Sequence, residues 1–152
     1  MERDKTIEVL NTLITINNDR IEGYETASNE TEEQDLKTLF AQFALTSQKC
    51  KQELAAEVTA LGGSPAEGTR VDGKFFRVWM DVKAALTRKD RKAILNSCEY
   101  GEDKAKETYE EVLTNERDQL SVPQQTIIKA QHLLLKADHD SVKALRDALV
   151  TV

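Results

Sequence analysis

Gly62-Gly63-Ser64-Pro65-Ala66-Glu67-Gly68-Thr69-Arg70-Val71-Asp72-Gly73, followed by Lys74-Phe75-Phe76-Arg77-Val78-Trp79-Met80-Asp81-Val82-Lys83-Ala84-Ala85-Leu86, is the stretch that decides the topology of this chain. Its first two glycines stop the preceding helix, since glycine takes a left-handed cap at no steric cost and Pro65 just beyond cannot extend it. A loop over 64–73 then leads into a short amphipathic segment, 74–86, with Phe75/Phe76, Trp79, Val82 and Leu86 on one side. Gly62 to Lys89 is 28 residues, enough to cross a full bundle. At about 1.5 Å per residue, segment 74–86 alone spans about 20 Å as helix.

Long amphipathic helices are expected on both sides of this crossover. Before it, a helix over about 4–28 carries the seam Ile7, Leu10, Ile14, Asn17, Ile21, Tyr24 and Ser28. The next, about 32–61, carries Leu36, Phe40, Phe43, Ser47, Cys50, Leu54, Glu57 (beside Val58) and Leu61, with Thr31 and Gln34 fitting a capping box. After the crossover, a helix over about 90–115 presents Leu95, Cys98, Glu102, Ala105, Tyr109 and Val112, with Thr87 and Asp90 available as caps. Ser121, Pro123 and Gln124 open the last helix, about 122–149, whose seam is Ile128, Gln131, Leu135, Asp138, Val142, Leu145 and Leu149. Short links make each consecutive pair an antiparallel hairpin. The expectation is therefore a single all-α domain over 1–152: a four-helix bundle of two antiparallel hairpins joined by a long crossover containing a short helix, the ferritin-like arrangement. The alternative is a five-helix up-down bundle in which 74–86 packs as a full member.

Composition agrees and narrows the function. Charged residues at 32%, with only 6 Gly and 2 Pro, are what long solvated helices require. A net charge of −6 argues against nucleic acid as a partner. From Lys74 to Lys92, seven Lys/Arg against two Asp give a local +5, which leaves the remainder at −11. That run is either a solvated face or a docking patch for an anionic partner. The charged start Met1-Glu2-Arg3-Asp4-Lys5 is not that of a signal peptide, and no apolar run is long enough for a transmembrane segment. Cys50 and Cys98 stand far apart on apolar faces, where a thiol acts as a small hydrophobe, so a reducing cytoplasm is the expected compartment.

The seams turn polar at one height. Asn17, Ser47 and Glu102 sit near the middles of their helices, and Gln131 and Asp138 bracket the middle of the last. Helices of similar length share a midplane, so these five should meet in a polar layer. Buried carboxylates need partners. Hydrogen bonds within the layer, a bound metal, or water at the surface would each serve. A metal (Fe, Mn or Zn) would draw on Glu99, Glu102, Asp138 and His139. No Glu-x-x-His occurs anywhere, so the full pattern of a di-iron bundle is missing. His132 lies about 10 Å along the helix from His139 and cannot join the same ion. No phosphate loop, nucleophile elbow or Cys/His pair is present, so no catalytic or cofactor-binding residue is expected.

Ile21-Glu22-Gly23-Tyr24-Glu25-Thr26-Ala27, Leu61-Gly62-Gly63-Ser64-Pro65, Phe76-Arg77-Val78-Trp79 and Cys98-Glu99-Tyr100-Gly101-Glu102-Asp103 resemble the corresponding stretches of an uncharacterised bacterial ferritin-like family, a domain of unknown function. The resemblance implies the ferritin-like fold with 74–86 as crossover helix, and no assigned activity. It departs at Phe76-Arg77, where the family leads one to expect a histidine before the arginine. The expected role is a non-catalytic bundle that binds itself or a protein partner, in a stress-related setting, with Phe75, Phe76, Arg77 and Trp79 as the interface. The alternative is a metal-binding relative with a reduced site for iron or manganese storage or oxidation.

Overall fold

The computed structural model describes residues 2–69 and 73–150. Its helices are α1 Glu2–Glu30, α2 Gln34–Ala60, α3 Gly73–Arg88, α4 Arg91–Asn115 and α5 Val122–Val150, with a 3₁₀ turn at Arg117–Gln119. The expected helices all form, with no end displaced by more than two residues. Arg70, Val71 and Asp72 of the expected loop, and Met1, Thr151 and Val152 of the expected domain, lie outside the described residues.

Local chemistry explains most boundaries. Gly62 sits at φ +82° and ends α2, with Gly62 N–H donating to Thr59 O (2.9 Å) and Gly63 N–H to Val58 O (3.0 Å). Ser121 and Gln124 form a reciprocal capping box at the start of α5, with N···O distances of 3.2 and 2.9 Å. Two expected caps fall elsewhere. Helix α1 continues to Glu30, so Thr31 accepts from Glu33 N–H (3.3 Å) inside the turn and Glu33 takes the N-cap position. Thr87 lies within α3, its hydroxyl donating back to Lys83 O (3.0 Å), and Asp90 alone caps α4 through Ala93 N–H (3.1 Å).

Side-chain contacts set the directions. Asn17 meets Tyr109 while Tyr24 meets Glu102, so α1 and α4 run antiparallel. Gln131 meets Tyr109 and Arg146 meets Glu99, so α4 and α5 form a second antiparallel hairpin beside α1–α2. Helices α2 and α4 are consequently parallel, and the connection between them must travel the length of the bundle. Helix α3 makes the second half of that journey, packed on α1 and α4. It buries Phe75, Val78, Val82 and Ala85. Of the expected stripe, Phe75 and Val82 are buried and Trp79 and Leu86 pack partly buried against the core, while Phe76 faces outward. Helix α3 is thus a short, core-contributing fifth helix.

Two glycines seat it. A Cβ on Gly23 would stand 2.3 Å from Trp79 Cε2, and one on Gly101 would stand 2.7 Å from Val78 Cγ1. Helix α3 can approach α1 and α4 this closely because both lack a side chain there. The apolar core falls into two clusters, one holding Leu10, Leu13, Leu54, Tyr109 and Ile128, the other Tyr24, Phe40, Phe43, Leu95 and Val142. No described helix is long and apolar enough to cross a membrane.

Candidate functional site

A slab of polar side chains lies between those two clusters, and Arg20 is its centre. Only 2% of its surface is exposed. Its Nε donates to Glu102 Oε2 (3.0 Å) and its Nη2 to Glu102 Oε1 (2.6 Å), a bidentate pair. Nη2 also donates to Asp138 Oδ2 (3.0 Å), and Nη1 donates to Ser47 Oγ. Tyr24 Oη donates to Glu102 Oε2 (2.8 Å), and the guanidinium carbon lies 5.4 Å from the Tyr24 ring centroid. Tyr24 in turn packs on Phe40, Phe43 and Trp79 with ring centroids 5.1–5.6 Å away. Four helices therefore hold one guanidinium. Each ion's burial costs several kcal/mol, about 20 kcal/mol in the idealised limit, and only such complete pairing offsets it.

A second network, built on amide and phenol groups, lies one turn along α1. Asn17 Nδ2 donates to Leu13 O (2.9 Å) and to Tyr109 Oη (2.8 Å). Tyr109 Oη donates to Gln131 Oε1 (2.7 Å), and Gln131 Nε2 donates to Cys50 O (3.1 Å) and Glu53 Oε1 (3.0 Å). Asn17 Oδ1 is buried without a hydrogen-bond partner. The five residues expected at mid-height thus divide, with Ser47, Glu102 and Asp138 around Arg20, and Asn17 and Gln131 around Tyr109. Arg20 and Tyr24 were not read as members of the slab, yet a signal existed. Arg20 is three residues after Asn17 and four before Tyr24, so it continues the buried spacing, whereas the apolar Ile21 beside it is only half-buried.

Electrostatics in the slab are tightly coupled. Burial works against charge on Arg20, but Glu102, Tyr24 and Asp138 more than compensate and hold it protonated. Burial and the neighbouring Glu102 carboxylate push Asp138 up to about 6, against the pull of Arg20. One guanidinium faces two carboxylates and spends two of its donors on Glu102, which makes Asp138 the member that takes a proton. Burial also pushes the Cys50 thiol up to about 12 and that of Cys98 higher, so both act as apolar filling.

The four expected metal ligands do not converge. Glu102 and Asp138 turn inward to Arg20, and a cation entering there would have to share those oxygens with a buried guanidinium. That donor set does not fit a metal pair inside the bundle. Glu99 and His139 turn outward, where Arg146 Nη1 lies 2.8 Å from Glu99 and His139 Nε2 lies 2.7 Å from Asp103 Oδ1. His132 pairs separately with Glu110 (2.9 Å).

The expected interface residues also divide. Phe75 is buried, and Trp79 is half-buried with Nε1 donating to Asp19 Oδ2 (2.7 Å). Phe76 and Arg77 are exposed. Within the basic run, Arg91 pairs with Glu33 and Asp35 (2.7 Å each) and Lys89 with Glu32 (3.0 Å), so part of its charge is met by the acidic α1–α2 turn. The side chain of Lys74 lies outside the described part.

The sequence model of the family described as a domain of unknown function, DUF2383, matches residues 5–115. The chain belongs to that family. No curated protein matches it. The DUF2383 match runs from α1 through α4 and includes Arg20, Glu102 and both glycines that seat α3. It stops before α5, so Gln131, Asp138 and His139 lie beyond it.

Proposed function

We propose that this member of DUF2383 is a ferritin-like, bacterial and cytoplasmic bundle that is non-catalytic and works by binding a second copy of itself through the face formed by α3 and α1. One observation carries the reading. Phe76 and Met80, one helical turn apart on α3, are 64% and 54% exposed beside a cavity of about 330 Å³. Gly23, Ala27, Trp79, Val82 and Leu86 line that cavity. A single exposed apolar side chain is ordinary, whereas two on the rim of an apolar cleft mark a contact surface.

Charge selects the occupant. The same face carries exposed Arg77 and Lys83 on α3 and exposed Glu22 and Glu30 on α1. A two-fold contact must be self-complementary, and a face bearing both signs about an apolar centre meets that need with its own copy. The ferritin-like assignment is supported by two hairpins with parallel α2 and α4 and a crossover along the bundle. The non-catalytic reading is supported by a slab whose charged groups are engaged with one another. The compartment is supported by two free, buried thiols, and the bacterial origin by the family resemblance.

Sedimentation velocity over a wide concentration range tests this. Wild type should move from monomer to dimer with rising concentration, and Phe76→Glu/Met80→Glu should stay monomeric with an unchanged melting curve. A wild type that is monomeric throughout, or a variant that still dimerises, overturns it.

A further inference from the structure

Glu99 and Asp103 on α4 and His139 on α5 each bring one ligand atom within 4.8 Å of the others. We propose that these three side chains hold a single divalent first-row transition cation, with Zn²⁺ the best fit. The site is independent of the α3 face, so the failure of self-association would leave it standing.

Three observations carry the assignment. Glu99 and Asp103 are four residues apart and share one helix face, and the antiparallel α5 lays His139 across them. Second, the His139 ring stands between two carboxylates, with Nε2 2.7 Å from Asp103 Oδ1 and Nδ1 3.1 Å from Asp140 Oδ1. A neutral imidazole has one N–H and can donate to only one of them. An imidazolium would satisfy both, whereas a neutral ring that donates from Nδ1 to Asp140 turns the Nε2 lone pair toward Asp103, where a cation can be taken up. Asp140 on Nδ1 is the outer carboxylate that fixes the tautomer of a metal-binding histidine and leaves Nε2 for the ion. Third, Glu99 Oε2 is buried and accepts no hydrogen bond, although Arg146 Nη1 is 2.8 Å away, because that N–H is directed at Oε1.

Metric and chemical fit agree. Bonds of about 2.0–2.2 Å in a tetrahedral site place ligand atoms about 3.3 Å apart, so the His139–Asp103 contact of 2.7 Å would open by about 0.6 Å. One imidazole with two carboxylates favours a borderline ion over Mg²⁺ or Ca²⁺, and Zn²⁺ over Mn²⁺ by the general order of divalent affinities. Three protein ligands leave a fourth position open. Arg146 is the internal competitor. Its Nη2 already donates to Asp147 Oδ1 (2.8 Å), so it has a partner to retain when an ion takes Glu99. Of the ligands expected from sequence, Glu99 and His139 stay, Asp103 joins them, and Glu102 and Asp138 belong to Arg20.

Isothermal titration of untagged, chelator-treated protein with Zn²⁺ and separately with Mn²⁺ tests the site. One Zn²⁺ per chain is expected, bound more tightly than Mn²⁺. His139→Gln and Asp103→Asn should each weaken it by at least about tenfold. His132→Gln should leave it unchanged, and Arg146→Gln should tighten it by removing the competitor. Thermal melts establish that each variant is folded. Absence of stoichiometric zinc, uptake that survives both His139→Gln and Asp103→Asn, or equal loss in His132→Gln overturns the proposal.

Discussion

Helices α4 and α5 carry acidic and basic groups on two faces, and neighbouring residues meet opposite fates. Glu102 and Asp138 point into the slab, where a guanidinium 2% exposed accounts for their charge. Asp103 and His139, one residue later on each helix, point outward and pair with each other at the rim. A step of one residue turns a helix by about 100°, enough to move a carboxylate from the core to the surface. Inside, Arg20 and Glu102 are each 2% exposed, and with Asp138 the charges are mutually satisfied and fixed by four helices. At the rim, Asp103 is 39% exposed and holds no guanidinium among the described residues, which suits that edge to an incoming ion and the slab to holding the helices in register.

The sharpest way to break this contrast is Arg20→Met. Methionine fills much of the volume but leaves Glu102 buried without its counter-ion, and a loss of about 3–5 kcal/mol is expected from urea unfolding. Adding Glu102→Leu should restore more than half of that loss, because the penalty belongs to the uncompensated charge. A small loss on Arg20→Met alone would mean that water reaches the slab.

A smaller effect separates the two carboxylates of the slab by pH. Asp138 titrates at about 6 in the folded chain, above its ordinary 3.8. A raised carboxyl contributes stability below its ordinary value and loses it as pH rises through the folded one. Asp138→Asn should therefore gain on wild type by about 1–2 kcal/mol as urea midpoints are followed from about pH 4 to about pH 7, a full two-unit shift being worth about 3 kcal/mol. A constant gap between the two proteins would place Asp138 outside the coupled network.

The smallest effect belongs to the rim. His139→Gln, without added metal, should change unfolding free energy by no more than about 1 kcal/mol, since an ion pair whose carboxylate is 39% exposed contributes little. A loss comparable with that of Arg20→Met would erase the distinction between slab and rim.

Much of this was legible beforehand, for local reasons. The Gly62-Gly63-Ser64-Pro65 stop and the Ser121/Gln124 box act through a few neighbouring residues, and both work as their chemistry requires. Cys50 and Cys98 are buried as apolar periodicity implied. Arg20 was missed because a long cation beside an apolar Ile21 reads as a surface residue snorkelling to water. Recognising it needed the step from Asn17 to Arg20 to Tyr24 to outweigh hydropathy. Phe76 was placed on the buried stripe of α3 for a related reason. Phe76 is as apolar as Phe75, and nothing local says which of two adjacent phenylalanines faces α1 and α4.

The sequence by itself determined which segments are helical, where they stop, how the hairpins run, and that polar groups occupy the seams at mid-height. Periodicity, caps and link lengths are properties of short stretches of chain, so they can be read there. Only the tertiary structure decided that Arg20 answers Glu102 and Asp138, that α3 rests on Gly23 and Gly101, and that Glu99, Asp103 and His139 gather at one rim. Each of those depends on how a helix is rotated about its own axis by less than one residue's turn. That angle is set by the packing of all its neighbours at once and is written in no single segment.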